Sequence, residues 1–133
     1  ATMTRLVSID GVIHDPAEAR VSVYDRGFLY GDSVFETIRT YAGRPFALEE
    51  HVARLARSAA LVAIPMPIPP SELATEIEVV TSRAANPESY LRAMVTRGAG
   101  KVGLDPALAE RPMRVVLVEP LELPRDDGRG LFG

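Results

Sequence analysis

The sequence predicts an α+β fold, with a mainly antiparallel sheet and two central helices. Three observations carry that reading. Short runs of period-two apolar alternation occur on both sides of the chain's middle. An Asp-Gly pair joins the first two of them, and two stretches of helical period lie together between residues 48 and 85.

Each element follows from its residues. Arg5-Leu6-Val7-Ser8-Ile9 reads as the first strand, Asp10-Gly11 as the type I′ turn of a tight hairpin, and Val12-Ile13 as the start of the return. Val21-Ser22-Val23 is a further apolar alternation, followed by a turn-rich connection from Asp25-Arg26-Gly27 to Gly31-Asp32. Residues 34–41 form a longer strand. Its alternation puts Phe35, Thr37, Arg39 and Tyr41 on one face and Val34, Glu36, Ile38 and Thr40 on the other. Gly43 and Pro45 mark the next turn.

From residue 48 to residue 64 the period becomes helical. Leu48, Val52, Leu55, Ala59 and Val62 form the apolar stripe, while Glu49, Glu50, Arg54 and Arg57 lie off it. Glu49 and Glu50 in the first turn complement the helix dipole. Pro65, Pro67, Pro69 and Pro70 impose a loop, and Ser71 reads as the N-cap of a second helix with Leu73, Ile77 and Val80 inward. Asn86-Pro87 ends it. Residues 90–96 and 113–118 read as strands, the latter apolar enough to be covered on both faces. A glycine-rich loop over residues 98–105 runs between them. Residues 124–130 have linker composition, so the expected division is a domain over 1–121 and a linker or truncated tail over 122–133.

Bulk properties narrow the function classes. A chain of 133 residues with 47% apolar and 25% charged residues is ordinary for one soluble domain. A net charge of -3 supplies no basic footprint for nucleic acid or anionic membrane, and no apolar run reaches the length of a span. With no cysteine, thiolate chemistry and Cys-based metal sites are excluded, and a cytoplasmic location fits. Lys101 is the only lysine among 15 basic residues, so any lysine-dependent step within this sequence must use it.

The remaining constellations are weighed against simpler readings. Gly98-Ala99-Gly100-Lys101-Val102-Gly103 has the spelling of a dinucleotide-binding loop, but Pro106 and Pro112 leave no room for the helix that chemistry needs. His14 and His51 lack ligand-spaced partners, so no metal site is expected. Ser33 in Gly-Asp-Ser-Val reads as a turn residue, not a nucleophile. Arg54, Arg57 and Arg97 read equally as solvated or paired side chains. Arg92 interrupts an apolar strand beside Tyr90, and either lies on an exposed face or lines an anion pocket.

Longer stretches are recognisable. Residues 21–39, Val-Ser-Val-Tyr-Asp-Arg-Gly-Phe-Leu-Tyr-Gly-Asp-Ser-Val-Phe-Glu-Thr-Ile-Arg, resemble the N-terminal signature of fold type IV (class IV) pyridoxal-phosphate enzymes. Phe46-Ala47-Leu48-Glu49-Glu50-His51 with Arg54-Leu55, then Tyr90-Leu91-Arg92, Thr96-Arg97-Gly98 and Gly103-Leu104-Asp105-Pro106, extend the resemblance over residues 5–120. The family includes branched-chain and D-amino acid aminotransferases and aminodeoxychorismate lyase.

The resemblance implies pyridoxal 5′-phosphate as cofactor, with Arg54 of the His-x-x-Arg-Leu pattern holding its phosphate. It implies substrate binding by Tyr30, Phe35, Arg39, Tyr90 and Arg92. Phe35 would be the apolar wall, and Arg92 with Tyr30, one of them from a neighbouring subunit, would receive the second carboxylate of glutamate or 2-oxoglutarate. A homodimer is implied by the loop over residues 98–105. That loop carries Val102 where D-amino acid aminotransferases have an Arg-x-His trap, and the lyase subgroup's arginine-bearing loop is absent, so Tyr90-x-Arg92 favours the branched-chain subgroup.

The expectation is therefore the N-terminal half of a transaminase acting between a branched-chain amino acid and 2-oxoglutarate. The family's Schiff-base lysine belongs to a C-terminal domain, so this chain alone is expected to be inactive, with Lys101 no substitute. The alternatives are a D-amino acid aminotransferase or aminodeoxychorismate lyase-like enzyme and, of another class, a non-catalytic dimerisation or binding module.

Overall fold

Leu6–Ile9 (β1) and Val12–His14 (β2) form the first hairpin in a computed structural model that describes residues 4–100, 102 and 109–122. Asp10 and Gly11 both have positive φ, 49° and 85°, as the Asp-Gly turn signal requires. A short helix, Arg26–Tyr30 (α1), leads into Ser33–Tyr41 (β3), which turns through Ala42-Gly43 into the two-residue Arg44–Pro45 (β4). The helices Leu48–Leu61 (α2) and Pro70–Ala84 (α3) follow, and then the long strands Ser89–Gly100 (β5) and Ala109–Pro120 (β6).

The strands form one sheet in the order β2-β1-β6-β5-β3-β4, with every pair antiparallel. Register decides its two faces. Val34, Glu36 and Ile38 of β3 stand opposite Val95, Ala93 and Leu91 of β5, and the latter two oppose Val116 and Val118 of β6. Those two oppose Ser8 and Leu6 of β1. This inner face closes on Leu48, Val52, Leu55 and Ala59 of α2 and on Leu73, Ile77, Val80 and Ala84 of α3. Leu55, Ile77, Val80, Leu91 and Val95 are fully buried there. Burial of each such side chain contributes about 1.5–3 kcal/mol before the entropy of ordering is subtracted. Phe35, Thr37 and Arg39, with Tyr90, Arg92 and Met94, lie on the outer face, turned away from α2 and α3.

Four local expectations are corrected. Residues 21–23 are not a strand, and Val21 and Val23 are exposed. The connection after them contains α1, because Asp25 caps its N-terminus by accepting from the Phe28 N–H at 3.0 Å and Gly31 ends it at φ 68°. Ser71 is not the cap of α3. Pro70 opens that helix, where its fixed φ suits the first turn and its missing N–H costs nothing. Val62 falls just past the end of α2 and is exposed, while Ile64, from the loop, takes a buried place.

The glycine-rich stretch begins inside β5. Gly98, at φ 97°, lies at an irregularity where β5 passes β6, and a Cβ there would collide with the Arg111 carbonyl oxygen. Val102 of the same loop is exposed, while Lys101, residues 103–105 and the tail over residues 123–133 lie outside the described residues.

Candidate active site

The outer face of β3 and β5 carries four of the residues singled out from the sequence. Thr37 pairs with Arg92, Arg39 with Tyr90 and Phe35 with Met94, so Phe35 and Arg92 are diagonal neighbours. The Arg92 guanidinium carbon stands 4.0 Å from the centre of the Phe35 ring. Its Nε is buried and makes no hydrogen bond among the described residues. A half-buried guanidinium with an orphaned donor, stacked on an aromatic ring, has chemistry left for an acceptor from outside.

Arg39 is committed more locally. Its Nε donates to the Thr40 carbonyl at 2.9 Å, its guanidinium carbon lies 3.9 Å from the Tyr41 ring centre, and its Nη2 is 3.9 Å from Glu88. Glu88 in turn accepts from the Thr40 hydroxyl and from the N–H groups of Ala42 and Gly43, which closes the β3–β4 turn. Tyr90 and Phe35 are both substantially exposed. Tyr30 is not gathered with Tyr90 and Arg39. It ends α1, before the Ser33 end of β3, whereas the Arg39–Tyr90 pair lies near the strand's other end. The Tyr30 ring instead lies 4.8 Å from the Arg26 guanidinium carbon.

Arg54 belongs to the other side of the sheet. From α2 its Nε donates to both oxygens of Glu36, at 2.9 and 3.0 Å, and its Nη2 to Oε1 at 2.7 Å. His51 Nδ1 is 2.7 Å from the same Oε1. Glu36 is 10% exposed at its side chain and Arg54 is 59% exposed, so a buried carboxylate faces an open cation. The hydrogen bonds from Arg54 hold Glu36 below the ordinary value of 4.5, against the opposing effect of burial. Arg54 is raised in return, first through its bonds to Glu36. Arg97 is a structural clamp: it pairs with Asp32 and donates to the carbonyls of Ala63 and Val62 beyond α2.

The pairing of Glu36 with His51 and Arg54 is not among the sequence expectations, although each residue leaves a signal. A carboxylate in the alternation Val34, Glu36, Ile38, Thr40 is a charge on an inward face and demands a partner. His51 and Arg54, three apart on a helix, share one side of it. Among the described residues no group of His, Asp and Glu is placed to hold a metal ion.

Comparison with known proteins follows the same lines. The family model described as amino-transferase class IV matches residues 33–131. A relative named as a putative branched-chain-amino-acid aminotransferase from Methanocaldococcus jannaschii is 40% identical over 116 residues, covering 86% of this chain and 40% of the relative. A D-alanine aminotransferase from Bacillus licheniformis is 36% identical over 92 residues, covering 69% of this chain and 32% of that protein. Among solved structures, the T.th. branched-chain amino acid aminotransferase complexed with N-(5′-phosphopyridoxyl)-L-glutamate superposes with a TM-score of 0.80 at 32% identity, over 87% of this chain and 40% of that one. The chain thus spans about two fifths of the length of the branched-chain relatives it matches.

Proposed function

From the premise that the chain belongs to the amino-transferase class IV family, we propose that it is the cofactor- and substrate-facing N-terminal domain of a pyridoxal-phosphate transaminase. The reading takes a branched-chain amino acid as donor and 2-oxoglutarate as acceptor. The observation that carries the substrate assignment is Arg92, whose buried Nε has no hydrogen-bond partner among the described residues while its guanidinium rests on Phe35. That pairing offers one surface with two uses: the aromatic wall contacts an aliphatic side chain, and the orphaned donor receives the far carboxylate of a dicarboxylate. Tyr30, Arg39 and Tyr90 are assigned to the same pocket, with Tyr30 contributed across a homodimer interface. The exposed Tyr24, Phe28 and Leu29 around α1 supply apolar surface suited to such an interface.

Pyridoxal phosphate, when bound, supplies the electron sink through which the amino group is moved. The residues present fit its phosphate. Arg54 is more than half exposed, its Nε and Nη2 are engaged by Glu36, and Nη1 stands outside those bonds. The lysine that anchors the cofactor is assigned to a further domain of the longer polypeptide.

Assay of that polypeptide should show amino transfer from leucine to 2-oxoglutarate, and this chain alone should show none. Transfer by this chain alone would overturn the division of labour. A full-length enzyme that accepts D-alanine and refuses leucine would overturn the substrate reading.

A further inference from the structure

We propose that Glu36 is a positioning residue for phosphate recognition: it holds Arg54 in the one orientation that presents its remaining donors to an anion. The inference rests on the reading of Arg54 as the phosphate ligand and adds what makes that ligand effective.

Glu36 is a charge on a face otherwise given to Val34, Ile38 and Thr40, opposite Ala93. Fold stability is a weak reason for placing a carboxylate there. Replacing a buried ion pair by apolar residues is often neutral or stabilising. A pair whose cation is open to water gains little from the contact. The geometry is nevertheless exacting. Three donor contacts between 2.7 and 3.0 Å fix the Nε–Nη2 edge of Arg54 against one carboxylate, leaving Nη1 to point elsewhere. A free arginine side chain loses rotamer entropy when it binds an anion, and a side chain already held has lost it beforehand.

His51 completes the clamp at the same carboxylate oxygen that Arg54 Nη2 reaches. An ionised carboxylate only accepts, so His51 Nδ1, at 2.7 Å from Oε1, carries the proton in that contact. The carboxylate is thereby held by two groups of α2, one turn apart, and cannot swing with Arg54. The device is the same as that by which outer groups orient metal ligands: the partner of the ligand sets its aim.

The test uses the full-length transaminase in its apo form, titrated separately with pyridoxal 5′-phosphate and with pyridoxal, which lacks the phosphate. Glu36→Gln preserves shape but offers Arg54 one acceptor and an unwelcome N–H. The expected result is a dissociation constant for pyridoxal phosphate raised about tenfold, with that for pyridoxal unchanged. The double variant Glu36→Gln with Arg54→Ala should bind no more weakly than Arg54→Ala alone.

Equal losses for both ligands would mean a general structural role and overturn the proposal. If Arg54→Ala weakens phosphate binding and Glu36→Gln does not, the proposal fails and the reading of Arg54 stands. If Arg54→Ala leaves the ratio of the two affinities unchanged, the reading fails and the proposal with it. If Glu36→Gln does not fold, solvent exchange of the Arg54 Nε–H in the unsubstituted apo-protein decides. Exchange slower than at Arg57 supports the clamp, and equal exchange overturns it.

Discussion

Arg92 and Phe35 meet diagonally across two antiparallel strands, guanidinium over ring at 4.0 Å, on the sheet face that α2 and α3 leave uncovered. The contact gives the cation an attractive partner, but among the described residues its buried Nε has no acceptor. A buried unsatisfied donor costs about 1–3 kcal/mol. Arg92→Met keeps the stem and removes the donor, so we expect the melting temperature of the chain to hold or rise. In the full-length enzyme the same variant should raise KM for 2-oxoglutarate while leaving that for a branched-chain 2-oxo acid nearly unchanged. A fall in melting temperature, or equal effects on both substrates, would count against Arg92 as a dicarboxylate receptor.

Two arginines one turn apart on α2 should behave differently. Arg54 is fixed on Glu36, whereas Arg57 has no such partner among the described residues and lies on the exposed side of the helix. Arg54→Ala should raise the dissociation constant for pyridoxal phosphate by roughly ten- to hundredfold in the full-length apo-enzyme. Arg57→Ala should change it little. Helix propensity does not confuse the comparison, since both substitutions install the better helix former. Equal affinities of the two variants would remove Arg54 from the cofactor site.

Acid should weaken the fold through two carboxylates. Glu36 is held below the ordinary value of 4.5 chiefly by hydrogen bonds from Arg54. Glu88 is held below it chiefly by the Thr40 hydroxyl, then by the Gly43 N–H. A depressed folded-state pKa means that the unfolded chain takes up these protons first. Their contribution is therefore present above the unfolded value and is lost as pH falls through the folded one. Thermal melts below about pH 4.5 should show this decline, and Glu88→Gln should flatten it. An unchanged slope in that variant would show that the turn carboxylate takes no part.

Burial along α2 predicts a sharp contrast between two apolar positions of the same stripe. Leu55 is fully buried against the sheet, while Val62, past the helix end, is 46% exposed. Leu55→Ala should cost about 2–5 kcal/mol in denaturant unfolding. Val62→Ala should stay within about 0.5 kcal/mol. Comparable losses at the two positions would contradict the packing of α2 on the inner face.

Much of the architecture was legible along the chain because it rests on local periodicity. Alternation in residues 34–41 assigns Phe35 and Ile38 to opposite faces, and β3 realises that assignment. The 48–64 stripe marks α2 to within a few residues, and Asp10-Gly11 marks its turn. What local pattern missed was decided by contacts distant in sequence. The segment around α1 reads as turn because five residues give too little period. It is helical because Asp25 caps it and is itself held by the Thr96 hydroxyl, 71 positions away. Val21-Ser22-Val23 has a strand's composition, but the described sheet gives it no partner.

The same division runs through the candidate site. By itself, the sequence determined the cast: fourteen arginines and one lysine, and the motif positions of Tyr30, Phe35, Arg39, Arg54, Tyr90 and Arg92. Only the tertiary structure decided which of them meet. Antiparallel register sets Arg92 over Phe35, and the period-two pleat sends Glu36 to the opposite side of the same strand to meet Arg54. Neither pairing is encoded in spacing, since each joins residues 18 or more positions apart through a strand–strand or strand–helix contact. Sequence period fixes the face on which a side chain stands, but the partner on that face is chosen by the packing of elements that the chain brings together only when folded.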